Sequence, residues 1–150
     1  MNHGVSGLAD FAALVTSLRV DECLTYGVPP RQSLKLVTQA KWLQMGQPDD
    51  RVARTKSAFS FAAGQPGVLM LDVDAPKDGS APLDRDTLVA AVRAARSGLA
   101  DARMLWLPSS SSFIYDGDDE MNGLRGQRLY LCVRDAGDIE RAGAALAERT

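Results

Sequence analysis

The feature that most constrains this chain is the run Gly67-Val68-Leu69-Met70-Leu71-Asp72-Val73-Asp74. It is entered by Pro66 and left by Ala75-Pro76. A short continuous apolar run with such flanks reads as a buried strand rather than a helix. Period two sends Asp72 and Asp74 to one face, with Cβ atoms about 6–7 Å apart. Val73 between them points into the opposite layer and anchors the strand. The acids lie at the strand's C-terminal end, where ligands of open α/β sheets gather. Two carboxylates held this way suit Mg²⁺ or Mn²⁺, hard cations that keep other positions for phosphate oxygens. An equally simple reading is a strand end closed by solvated acids before a turn.

The rest of the chain organises around that strand. Leu8, Phe11, Leu14, Val15 and Leu18 recur at helical spacing, which predicts a helix over about 7–19. Tyr26 to Pro30 is a breaker segment, and 34–38 reads as a short strand. Residues 46–50 read as a loop and 51–60 are ambiguous. Asp84 reads as an N-cap for a helix carrying Leu88, Val92, Ala95 and Leu99, with Gly98 as its stop. Met104 to Leu107 is a strand ending at Pro108, and 112–115 is a candidate for another. Residues 116–123 read as a polar turn. Gln127 to Val133 alternates as a half-buried strand. Asp138 reads as the cap of a last helix that carries Ile139, Ala142 and Leu146. The order β-α-β-(β)-β-α predicts an α/β (α+β) fold. It implies one domain over 1–150, with a mixed sheet of about four to six strands flanked by helices.

Composition narrows the chemistry. The 150 residues carry 17 basic and 19 acidic side chains, a net charge of −2, which excludes a strongly basic nucleic-acid binder as a whole-chain description. Residues 67–122 hold five basic and ten acidic side chains, so the acids concentrate around the strand described above. Two Cys and one His exclude a four-ligand Cys/His zinc site. His3, the only imidazole, is too near the terminus to support a Ser-His-Asp triad. Cys23 and Cys132 form no disulfide framework and read as buried thiols. No apolar run reaches the ~18–20 residues of a membrane helix, and the N-terminus lacks a signal-peptide pattern. The expectation is a soluble cytoplasmic protein without a membrane partner.

A second constellation adds phosphate-binding character. Residues 108–115 read Pro-Ser-Ser-Ser-Ser-Phe-Ile-Tyr, and 122–131 read Asn-Gly-Leu-Arg-Gly-Gln-Arg-Leu-Tyr-Leu. Gly123 and Gly126 allow close backbone approach. Arg125 and Arg128 offer forked donors to phosphate oxygens. Such a turn, feeding a strand beside an acidic pair, outlines a nucleoside-triphosphate site. A hairpin with solvated arginines and a Ser-rich loop is the plainer alternative. The Asp-x-Asp pattern also occurs in nucleotide-sugar glycosyltransferases and in haloacid-dehalogenase-like phosphatases. The Gly-Leu-Arg-Gly segment has no role in those, and Ala75-Pro76 departs from the phosphatase pattern.

Together, Arg54-Thr55-Lys56, Leu69 to Pro76, Trp106 to Tyr115 and Leu124 to Leu131 resemble the archaeo-eukaryotic primase (primase-polymerase) superfamily. The likeness is closest to primase-like replication proteins of plasmids, phages and integrative elements. It covers about residues 50–150; residues 1–50 carry no such signal. The resemblance implies the catalytic-core subdomain of that fold, working on nucleoside triphosphates and a single-stranded DNA template by two-metal nucleotidyl transfer. It also implies a helicase domain or partner. Asp72 and Asp74 map to the first, metal-binding motif. In the second, triphosphate-binding motif, Asn122 stands at a Ser position and Arg128 at a His position. Arg125 and Arg128 would hold phosphates, and Ser110, Ser111 and Ser112 would add hydroxyl donors. Arg54 and Lys56 are candidates for template or phosphate contact; a solvated basic turn is the simpler reading. Trp42 and Trp106 read as core residues before base-stacking ones. Arg141 and Arg149 read as solvent-facing.

The family's third motif, a later strand-borne acid, has no counterpart here. After Arg128 only Asp135, Asp138, Glu140 and Glu148 follow, at a turn or on the last helix. Two expectations follow. The third acid lies beyond Thr150 in a longer protein, or the chain is a non-catalytic module of the same fold that binds nucleic acid or a replication partner.

Overall fold

The computed structural model describes residues 5–19, 21–25, 27–31 and 34–147. The expectations placed on His3, Tyr26, Glu148, Arg149 and Thr150 lie outside them. Among the described residues the chain is a mixed α/β protein with four α-helices and seven strands in three small sheets. The predicted single sheet of four to six strands is thus replaced by smaller ones. The elements are α1 (Leu8–Ser17), β1 (Lys35–Val37), α2 (Gln39–Gln44), β2 (Arg51–Ala53), β3 (Gly67–Val73) and α3 (Arg85–Ala95). They continue with β4 (Leu105–Pro108), β5 (Ile114–Asp116), β6 (Asp119–Asn122), β7 (Gln127–Val133) and α4 (Ile139–Ala147). Strands β1 and β2 pair in parallel through α2, and β5 and β6 form a hairpin.

The principal sheet has the order β3-β7-β4, and β7 runs antiparallel to both neighbours. Strands β3 and β4 are therefore mutually parallel, joined through α3, with β7 inserted between them. This is a split β-α-β unit. The residues opposite one another explain the layering. Leu71, Leu129 and Trp106 form one row, and Asp72, Arg128 and Leu107 form the next. Alternation sends the first row toward α3 and the second to the opposite face. Leu129 is fully buried against Leu88 and Val92 of α3. Leu69 packs with Ile139 of α4 in a second cluster. Val73 joins the α3 cluster, so it points away from its acidic neighbours. On the opposite face, Phe11 of α1 lies against Tyr130, with ring centroids 5.0 Å apart. A tilted aromatic pair at that spacing is favourable.

Two ends of the sheet are clamped. At Gly67 an added Cβ would lie 2.7 Å from the Cβ of Ala136, so only glycine lets the turn after β7 close on the start of β3. There Asp135 accepts from the amides of Gly64 and Gly137, each at 2.8 Å. Asp135 caps the 3-10 turn Ala136–Asp138, and Asp138, the expected cap, directly precedes α4. Asp138 lies one turn on and accepts two hydrogen bonds from Arg141, at 2.6 and 2.7 Å. That donor holds the Asp138 carboxyl below its ordinary range.

Asp84 caps α3 as expected, accepting from the amides of Asp86 and Thr87. The helix stops at Ala95, before Gly98, and Leu99 reaches the same core from a 3-10 turn. Two further expectations are corrected. The acidic segment 116–123 is not one turn, because Asp119–Asn122 forms β6 and only Gly117-Asp118 turns. Cys23 and Cys132 are free but exposed, not buried. Cys132 lies on the face opposite α3 and α4, past Tyr130, the last β7 residue that β4 pairs.

The insertion of β7 predicts a sharp penalty for hollowing it. Leu129→Ala should lower unfolding stability by about 2–5 kcal/mol, read by urea denaturation. Leu107→Ala, a half-buried position on the opposite face, should cost clearly less.

Candidate nucleotide and metal corner

The candidate residues converge where β3 ends and β7 begins. Asp72 faces Arg128 directly across the ladder, and Arg128 Nε lies 3.4 Å from Asp72 Oδ1. The Asp72 side chain is 47% exposed and that of Arg128 33%, so the pair meets solvent and remains open to a ligand. Such an exposed ion pair contributes little to stability, about 0–1 kcal/mol. Asp74 is exposed and follows Val73, whose register partner is Gln127. Both carboxylates therefore stand beside the turn that opens β7.

That turn is built around Ser112. Its hydroxyl donates to the Gly126 carbonyl at 3.0 Å. The same oxygen accepts from the amides of Arg125 and Gly126, at 3.0 and 3.1 Å. Ser112 is buried, and its hydroxyl shapes the turn through these three hydrogen bonds. Ser109 closes the other side, its amide donating to the Gly126 carbonyl at 2.7 Å. A Cβ on Gly126 would lie 2.8 Å from Ser109 Oγ and 3.0 Å from Ser109 Cβ. A side chain at position 126 would therefore crowd Ser109, in keeping with the place of Gly126 in the Gly-Leu-Arg-Gly segment. Ser110, Ser111 and Arg125 are exposed at this corner, and Asn122 is half-buried at the end of β6.

Beneath it, Gln127 is 1% exposed. Its carbonyl oxygen accepts from Trp106 Nε1 at 2.7 Å, and its amide nitrogen donates to the Leu83 carbonyl at 2.8 Å. Trp106 is thus a half-buried core residue held by Gln127. Sequence reasoning passes over both Ser109 and Gln127. A polar residue on the core-facing phase of an apolar strand was the available signal for Gln127.

Other candidates lie elsewhere. Arg54 is exposed beside the β1–β2 sheet, its amide donating to the Val37 carbonyl. Lys56 pairs with Glu140 of α4 at 3.0 Å. Glu140 adjoins Ile139, which packs on Gly67, five residues along β3 from Asp72. At about 3.3 Å per residue that is roughly 16 Å away. Trp42 is half-buried between α2 and β2, in a crevice that also includes Val52 and Ala53. The larger crevice, about 800 Å³, is apolar, lies at the other end of β7, and involves Leu69, Leu131 and Leu146. It has no part in the acidic corner.

The donor set fits a divalent cation in one respect and opposes it in another. Asp72 and Asp74 are hard oxygen donors of the kind that hold Mg²⁺ together with substrate phosphates. Arg128 competes for Asp72. Among the described residues no three His, Cys, Asp or Glu side chains group closely enough to hold a metal by themselves. No described helix is long and apolar enough to cross a membrane. The ligand rule for open parallel sheets does not apply here, because β7 runs antiparallel to β3. The corner is shaped instead by a tight turn entering an antiparallel strand.

The packing of Gly126 gives a direct test. Gly126→Ala should destabilise by about 1–3 kcal/mol through overpacking, and Ser109→Gly should restore part of the loss. Two independent, additive costs in chemical denaturation would contradict the contact. No known protein family, curated protein or solved structure gives a significant match to this chain.

Proposed function

We propose that the Asp72–Arg128 corner is the nucleotide site of a primase-polymerase-like module from a mobile-element replication protein. The observation that carries this reading is the single row in which an acid and an arginine face each other across β3 and β7. Asp74 and the Gly-Leu-Arg-Gly turn flank that row. Asp72 and Asp74 would hold Mg²⁺ or Mn²⁺, which supplies Lewis-acid neutralisation of a triphosphate when bound. Arg125 and Arg128 bind phosphate oxygens, and Arg128 exchanges Asp72 for phosphate as nucleotide arrives. The exposed hydroxyls of Ser110 and Ser111 add donors, and Asn122 borders the same turn. Single-stranded DNA is the template in this reading, with Arg54 and Lys56 outside the nucleotide corner.

A second reading has its own support. Arg128 already neutralises Asp72 at 3.4 Å, and no third carboxylate joins the pair among the described residues. That arrangement suits a non-catalytic module of the same fold that binds nucleic acid or a replication partner.

Calorimetry separates the two. The first reading predicts Mn²⁺-dependent dNTP binding that is abolished in Asp72→Ala/Asp74→Ala and at least ten-fold weaker in Arg125→Ala. Nucleotide binding unchanged by the double substitution removes the site. Single-strand DNA binding that needs no metal and weakens with salt supports the second reading.

A further inference from the structure

The β5–β6 hairpin forms a two-stranded sheet of its own. Its strands are only 3 and 4 residues long, and six of their seven residues are exposed. The apolar side chains on it are large and open to solvent: Phe113 44%, Ile114 40%, Tyr115 54% and Met121 63%. An isolated two-stranded hairpin is marginal in water and needs a third strand or a packed face for stability. Exposed large apolar side chains gathered on one short hairpin favour an interaction site. The charge on the same element has one sign. Asp116, Asp118, Asp119 and Glu120 lie on it, and no Lys or Arg occurs between Arg103 and Arg125. Asp116 and Asp119 are register partners, so like charges face each other at the tip. That juxtaposition is unfavourable until a cation is brought to it. Tyr115 donates its hydroxyl to Glu120 at 2.9 Å, which keeps an apolar ring and an acid on one surface.

We propose that this hairpin is a docking arm for an extended, basic polypeptide segment with alternating apolar side chains. The segment supplies the third strand, its cations meet the acidic tip, and its apolar side chains cover Tyr115 and Met121. A phosphate backbone is disfavoured on the same surface by the four carboxylates. The proposal stands independently of the nucleotide reading, because it uses none of Asp72, Asp74, Arg125 or Arg128.

The test is an amide-shift titration of the isotope-labelled full chain with an alternating Lys–Val heptapeptide. Its Lys–Ser and Glu–Val counterparts and a single-stranded DNA oligomer serve as comparisons. The Lys–Val peptide should bind saturably, with shifts concentrated at 113–122. Binding should weaken at least ten-fold in Tyr115→Ser/Met121→Ser and in Asp118→Lys/Asp119→Lys. Unchanged β3, β4 and β7 amides in each variant verify the fold. Lys–Ser binding as tight as Lys–Val, shifts centred elsewhere, or no binding would overturn the proposal. Shifts at the hairpin caused by DNA and not by the peptide would overturn it in favour of a nucleic-acid surface.

Discussion

The insertion of β7 between β3 and β4 is the constraint on which the rest depends. β7 is the last of the described strands, yet it supplies every ladder contact of the principal sheet. Its one face carries Leu129 into the α3 core and its other carries Arg128 to Asp72. A one-residue slip would exchange those faces, placing Arg128 in the core and Leu129 in solvent. Register is fixed at both ends, by Gly67 against Ala136 and by Gly126 against Ser109. The clamps that make the sheet thus also align the acidic corner.

The same arrangement separates support from chemistry. Gln127 and Ser112 are buried and use their polar atoms on Trp106, Leu83 and the Gly126 turn. Buried polar groups satisfied in this way make the turn stiff. Asp72, Asp74 and Arg125 stand on that base with solvent access. An exposed acid and arginine at 3.4 Å hold each other weakly enough for a phosphate or a cation to exchange into the pair.

Much of the principal sheet is legible in the sequence. Gly67 to Val73 and Gln127 to Val133 declare themselves through an apolar run and strict alternation, and Asp84 through its capping position. Strand β6 is not legible, since Asp119, Glu120 and Asn122 have poor strand propensity and form a ladder only by hairpin closure. The stop of α3 misleads because Leu99 keeps the helical apolar phase while reaching the core from a 3-10 turn. Cys132 misleads because free thiols are usually buried, whereas it lies on the phase opposite Leu129, Leu131 and Val133, beyond the residues that β4 pairs. The adjacency of the acids and the Gly-Leu-Arg-Gly turn follows from pairing these two strands. The commitment of Ser112 to its turn does not, because it depends on a contact fourteen residues away.

In the proposed reading, one corner of this sheet gathers cation and nucleotide. Paramagnetic broadening of amide signals by Mn²⁺ in the presence of dATP tests it most directly. Broadening should centre on residues 72–74 and 126–128 and be lost in Asp72→Ala/Asp74→Ala. Broadening centred on the acidic hairpin at 116–120, or spread evenly over the acidic surface, would contradict it.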